Sequence, residues 1–218
     1  KGNNITSIAP QYQIKNVTEM KVLVACEYSG RVREAFRKLG HDAWSCDLIE
    51  SEDNSPHHII GDAIELAYKG QWDLMIAHPP CTYLTNSGVR WLHTDPTRWA
   101  KLDEAADFFL KLWNAPIPKK VLENPIMHKY ARERVGVNKH QVIQPWMFGH
   151  MEQKATCLWL HGVEPLRPTN IVKAEMMRLT HAERNRLHYC SPGPERWKER
   201  SRTYQGIADA MAQQWGLV

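Results

Sequence analysis

Met20-Lys-Val-Leu-Val-Ala-Cys26-Glu27-Tyr28-Ser29-Gly30-Arg31 is the stretch on which the reading of the fold turns. Lys21 to Cys26 is a short apolar run of strand length and reads as a buried strand. Arg31 to Leu39 reads as a helix, with Gly40 suited to the left-handed position just past its end. The same alternation continues downstream. Ala43 to Cys46, His58 to Ile60, Leu74 to Ala77 and Lys120 to Leu122 read as the next four strands, and Gln141 to Ile143 and Thr156 to Leu160 as further ones. Between them lies the clearest helix, which Thr94 or Asp95 can cap and Pro96 can open. Its face is set by Trp99, Leu102, Ala106, Phe109, Leu110 and Trp113. Thr180 to Glu183 matches a capping box that opens a short helix, and Gln205 to Trp215 reads as a terminal helix with Ile207 and Met211 inward. Strands and helices in this order predict an α/β fold whose mostly parallel sheet carries helices on both faces. Ligands of such sheets sit at the carboxyl ends of the strands, so the residues just after each strand matter most.

Composition narrows the class. The 218 residues are 43% hydrophobic and 24% charged, enough for one domain with its own core, and the Gly and Pro counts exclude collagen-like and low-complexity chains. No apolar run reaches the roughly 20 residues of a membrane-spanning helix, and the start of the chain lacks a signal-peptide pattern, so a soluble cytoplasmic protein is expected. Cysteines 26, 46, 81, 157 and 190 form no C-x-x-C pair, which disfavours both a disulfide framework and a structural metal site. Residues 1–19 are polar and aperiodic and read as a tail or linker, leaving 20–218 as a single domain.

Five strand ends carry polar groups. After the first come Glu27, Tyr28, Ser29 and Gly30 at the start of a helix. Asp47 follows the second strand, where an acid can accept bonds from both hydroxyls of a ribose. Asp62 follows the third, where it can meet an adenine amino group; either acid can equally cap the next turn. No phosphate-binding Gly-rich signature accompanies them, so a nucleoside without phosphates fits better than NAD or ATP. The fourth strand runs into His78-Pro79-Pro80-Cys81-Thr82-Tyr83, whose prolines stiffen the chain and fix where the Cys81 side chain points. A thiol there is a candidate nucleophile or a buried inert cysteine. The fifth ends in Glu123-Asn124-Pro125, whose carboxyl group would lie across the cleft from Cys81 and could share a proton with a ring nitrogen.

From Met20 to the C-terminus the chain resembles the DNA cytosine-C5 methyltransferases. Pro79-Pro80-Cys81 is similar to that family's nucleophile loop and Glu123-Asn124-Pro125 to its Glu-Asn motif. Glu27 to Gly30 stands in the place of the cofactor loop, and Asp47 and Asp62 in those of its ribose and adenine acids. Arg202 to Ala210 resembles the last motif, a Gly turn leading into a helix. The resemblance implies a Rossmann-like S-adenosylmethionine-dependent fold. It further implies S-adenosylmethionine held by Glu27, Tyr28, Ser29, Gly30, Asp47, Asp62, Pro79, Gln205, Ile207 and Ala208, with no metal. Cys81 would add to cytosine C6 while Glu123 bonds N3 and the exocyclic amine.

The chain departs from the family in two places. The Gln-x-Arg-x-Arg motif is reduced to Glu152-Gln153-Lys154-Ala155-Thr156, leaving Lys154 as the substitute orienting residue. The interval 161–204 is too short for a large target-recognition domain and reads as a small basic insert. From Leu166 to Tyr204 it carries nine Lys or Arg against four Glu, a local net of +5 in a chain whose total is +4. Localised charge of that kind can hold phosphates. The DNA partner, duplex with a flipped base or single-stranded, is expected on Arg184, Arg186, Arg200 and Arg202, and on Thr82, Asn86, Ser87, Arg90 and Trp91 of a loop over residues 82–93 that resembles the family's mobile catalytic loop. A monomer is expected. Open alternatives are a methyltransferase of free cytosine nucleotide, one acting on an exocyclic amine, and a non-catalytic DNA-binding relative.

Overall fold

β1 (Lys21–Ala25) is buried at every residue after the first, and α1 (Arg31–Lys38) follows it through the turn at residues 26–30. The structure is a computed structural model that describes residues 18–217. Most of the segment read as a tail, and the last residue, lie outside the described residues. β2 (Asp42–Asp47), β3 (His58–Ile60), β4 (Leu74–Ala77) and β5 (Lys119–Pro125) run parallel to β1, each with its neighbour in the order β3-β2-β1-β4-β5. β6 (Gln141–Ile143) and β7 (Thr156–His161) complete a seven-stranded sheet in the order β3-β2-β1-β4-β5-β7-β6, with β7 antiparallel to both β5 and β6. The fold is therefore the expected α/β, Rossmann-like one. β6 and β7 are joined by residues 144–155 with no α-helical crossover, which is the connection an antiparallel pair permits.

Alternation along the strands divides the core into two layers. Val22, Val24, Ile76, Val121 and Leu158 face α1 and the terminal helix, meeting Phe36, Met211 and Trp215. Leu23, Ala25, Met75, Ala77 and Leu122 face the other way, onto α2 (Ala63–Lys69) and α3 (Thr97–Trp113). On α3 the fully inward residues are Leu102, Ala106, Phe109 and Leu112. Leu112 was not expected on that face; Trp99, Leu110 and Trp113 lie at its margin, only partly buried. Trp99 instead packs edge-on against Tyr130 of α4 (Lys129–Val135). The cap position of α3 falls on Pro96 and not on Thr94 or Asp95, though Asp95 Oδ1 accepts from the Thr97 backbone N–H just before it.

Residues 86–93, read as part of an open loop, form a 3-10 helix. Beyond β7 come three short helices, α5 (Lys173–Met177), α6 (His181–Arg184) and α7 (Arg196–Ser201), before α8 (Gln205–Trp215). The capping box of α6 is formed as expected, with Thr180 and Glu183 bonding each other's backbone N–H. α7 folds back across the carboxyl end of the sheet. The Tyr28 hydroxyl donates to the Lys198 carbonyl at 2.8 Å, and Arg31 Nη1 donates to the Thr203 carbonyl at 3.0 Å. Crossovers leave β1 and β4 toward opposite faces, so a crevice opens between their carboxyl ends.

Candidate active site

A cavity of about 1050 Å³ fills that crevice. Its floor is set by strand register. Ala77 of β4 pairs with Leu122 of β5, so the next residues, His78 and Glu123, emerge side by side. His78 Nδ1 lies 3.0 Å from Glu123 Oε2. Burial alone would push His78 down, but the hydrogen bond and charge of Glu123, helped by Glu27, raise it above its ordinary value. Burial alone would push Glu123 up, and the bond and charge of His78 bring it below its ordinary value. The two form a half-buried hydrogen-bonded pair in which each partner favours the charged form of the other.

The loop after β4 is fastened to β5 and to the start of α4. Asn124 Nδ2 donates to the Pro79 carbonyl at 2.9 Å, and His128 Nε2 lies 2.9 Å from the Tyr83 carbonyl oxygen. These ties hold Cys81 in the cavity wall that Glu123 also lines. Burial, then the Glu123 charge, pushes the Cys81 thiol above its ordinary range, while Lys154 and Arg200 pull it down. Lys154 Nζ donates to the Arg200 carbonyl at 2.7 Å, which anchors α7 over the cavity and leaves the lysine's charge to act on Cys81, His78 and Glu123 through space.

The other end of the cavity is acidic. Glu27 is buried and caps α1, accepting from the Val32 and Arg33 N–H groups at 2.8 and 3.3 Å, with Ser29 Oγ 3.4 Å away. Burial raises its pKa. The helix N-terminus that would otherwise hold a phosphate is therefore occupied by a carboxylate. Asp47 lines the cavity with Oδ1 accepting from its own neighbour Leu48, and burial raises its pKa. Asp62 also lines it and caps α2 through Ile64 N at 2.8 Å. Tyr28 packs on Trp197 of α7 with ring centroids 5.3 Å apart, closing this side.

Of the residues expected from the sequence, Cys81, Glu123 and Lys154 meet in this cavity, as do Glu27, Tyr28, Ser29, Asp47, Asp62 and Pro79. Thr82, Asn86, Ser87, Trp91 and Arg200 reach its rim. Eight others do not line it. Gly30 is a glycine for its own backbone, with φ of 70°, and because an added Cβ would strike the buried Arg33 guanidinium. Ile207 and Ala208 are buried in the layer between α1 and α8, and Gln205 bonds Asp209 on its own helix. That packing draws the start of α8 away from the cavity.

The remaining four, all arginines, lie off the cavity. Arg202 pairs with Glu52 and Glu199, Arg186 with Glu152 and Glu199, and Arg184 Nη1 donates to the Leu179 carbonyl. Their charges tie the insert to the domain, and Arg200 alone of the insert's four expected contacts faces the cavity. Arg90 stacks on Trp91 at 4.6 Å. Sequence reasoning missed His78, Asn124 and Trp197. For His78 the signal was present, a polar residue immediately after a buried strand; for Trp197 there was none, since α7 reaches the site only through tertiary packing. Among the described residues no cluster of three or more metal-ligating side chains occurs, and no helix is long and apolar enough to cross a membrane.

No protein-family profile matches the chain, and no curated protein matches it. Solved structures do. One is an E. coli structure described as a candidate DNA modification methyltransferase encoded within a prophage, at a TM-score of 0.48 and 13% identity. The match covers 70% of this chain and 52% of that one, so this chain spans about half the length of the matched structure.

Proposed function

We propose that the chain is an S-adenosylmethionine-dependent DNA cytosine-C5 methyltransferase. The observation that carries this reading is the meeting of Cys81 and Glu123, from the ends of adjacent strands, in one cavity whose far end holds Asp47 and Asp62. The donor set fits a nucleoside cofactor without phosphates. The carboxylates of Asp47 and Asp62 suit ribose hydroxyls and an adenine amine, the acidic surroundings suit a sulfonium cation, and the α1 N-terminus is closed to phosphate by Glu27. When bound, S-adenosylmethionine supplies an electrophilic methyl group.

The protein's part is to make an unreactive ring carbon nucleophilic. Cys81 gives its proton to solvent and, as thiolate, forms a bond to C6, and the displaced C5–C6 π pair moves into the ring. Glu123, given a proton, places it on N3 and accepts from the exocyclic amine, so charge on the ring is neutralised as it develops. After transfer, water takes the C5 proton, the C5–H electron pair and the departure of the Cys81 sulfur with its own pair restore the aromatic ring, and N3 returns its proton to Glu123. The target atoms are stacked inside a duplex, so the base enters the cavity flipped or from a single strand. Trp91 at the rim, 46% exposed and with Arg90 stacked on its ring, suits contact with the neighbouring bases and backbone. Residues 161–204 act in this reading as a small clamp that closes the cavity.

Mass spectrometry of nucleosides from DNA incubated with the protein and S-adenosylmethionine tests the proposal. 5-Methylcytosine is expected, together with its loss in Cys81→Ser. Methylation at an exocyclic nitrogen, or methylation that survives Cys81→Ser, refutes the C5 chemistry. Incorporation into dCMP but not into DNA refutes the DNA substrate.

A further inference from the structure

His78 has no role in the mechanism above, yet it is bonded to Glu123 on the cavity floor. It is held beside Glu123 by the β4–β5 register, only 11% of its side chain is exposed, and its Nε2 is buried with no hydrogen-bond partner among the described residues. An imidazole placed only to orient a carboxylate needs one bond, and a buried second nitrogen left without a partner is costly. The titratable and charged groups around it are Glu123 on β5, Glu27 after β1, Asp47 after β2, Cys81 beyond its own strand, Lys154 before β7 and Arg200 of α7. Glu123 and Glu27 favour the charged ring and Lys154 opposes it.

We infer that His78 is a positioning residue that stores the proton Glu123 passes to the ring, moving it from Nδ1 to Glu123 Oε2 as Glu123 gives one to N3. This rests on the cytosine-C5 reading and deepens it. The step balances without any further reactant: the N–H bond at Nδ1 breaks as an O–H bond forms on Glu123, an O–H bond of Glu123 breaks as the N3–H bond forms, and the imidazole ends neutral. The reverse sequence returns the proton when the thiolate leaves. A carboxylate held below its ordinary pKa is a poor acid at neutral pH; an imidazolium bonded to it supplies what it lacks.

The test is the pH dependence of methyl transfer to DNA for the wild type and for His78→Asn, which can still donate a hydrogen bond to Glu123 but cannot release a proton. At pH 7.5 the variant is expected to lose about tenfold or more in kcat, with the KM for DNA changed less than threefold. The deficit narrows toward pH 5, where solvent protonates Glu123 directly. The limb that His78 sets in the wild type is lost and a limb at lower pH, set by direct protonation of Glu123, takes its place, while the limb set by Cys81 stays. A deficit equal at every pH, a change confined to KM, or an unchanged profile overturns the inference. Should His78→Asn not fold, NMR titration of the His78 imidazole in the wild type decides the matter: its midpoint must coincide with one limb of the wild-type profile, and a mismatch overturns it. Failure of the parent reading looks different, since the wild type would then form no 5-methylcytosine at any pH.

Discussion

Replacing Glu123 with Gln exchanges a buried ion pair for a neutral one, and its cost should depend on pH in a way no packing defect imitates. Gln keeps the size and an oxygen that can accept from His78 Nδ1, so at high pH, where His78 is neutral in both proteins, the loss is that of a charge-assisted bond weakened to a neutral one, about 1 kcal/mol. In the wild type, His78 is raised above its ordinary 6.5, so its contribution is complete below that value and fades as pH rises through the folded value. Glu123 is lowered below its ordinary 4.5, so its contribution is complete above that value and is lost as pH falls through the folded one. The pair is thus most effective between these two ordinary values. Without the carboxylate, burial leaves His78 below its ordinary value, and the variant must exclude a proton that the wild type holds. Between the two His78 midpoints, which straddle 6.5, the destabilisation grows by up to about 1.4 kcal/mol per pH unit of acidification. Urea unfolding of both proteins at pH 5.5, 6.5, 7.5 and 8.5 measures this. A difference in unfolding free energy that stays flat across the series refutes the ion pair and, with it, the reasoning about the cavity floor.

Gly30→Ala should destabilise by about 2–4 kcal/mol in chemical denaturation, combining about 1–2 kcal/mol for a left-handed alanine with the displacement of the fully buried Arg33 guanidinium; a loss under 1 kcal/mol would show that Arg33 has room to move. Asp47→Ala should weaken S-adenosylmethionine binding by about tenfold or more in calorimetric titration, the worth of about one charge-assisted hydrogen bond, while leaving the unfolding midpoint nearly unchanged because the carboxylate accepts only from the backbone of the next two residues, Leu48 and Ile49. Undiminished affinity would remove Asp47 from the cofactor site.

How much of this was legible in the sequence depends on the range of the interactions involved. Local pattern was sufficient for the strands and for the residues that follow them. Leu74–Ala77 and Gln205–Trp215 lie where their periodicity put them, because an apolar run or an amphipathic stripe can be buried in only one way. Cys81, Glu123, Asp47 and Asp62 converge for the same reason: in a parallel sheet every strand ends at the same edge, so residues just past strand ends become neighbours whatever their separation in the chain. Tertiary structure alone decided which of several chemically equivalent groups were left for a ligand. The insert's positive charge was visible in the composition, yet Arg186 and Arg202 are neutralised by Glu52, Glu152 and Glu199, and Glu52 lies 150 residues from Arg202. The start of α8 looked like a cofactor contact until its burial against α1 carried Ile207 and Ala208 into the core. The pairing of His78 with Glu123 depends on the register of β4 against β5, which no one-dimensional pattern specifies, because register is a choice between strands and is made only when the sheet assembles around a common core.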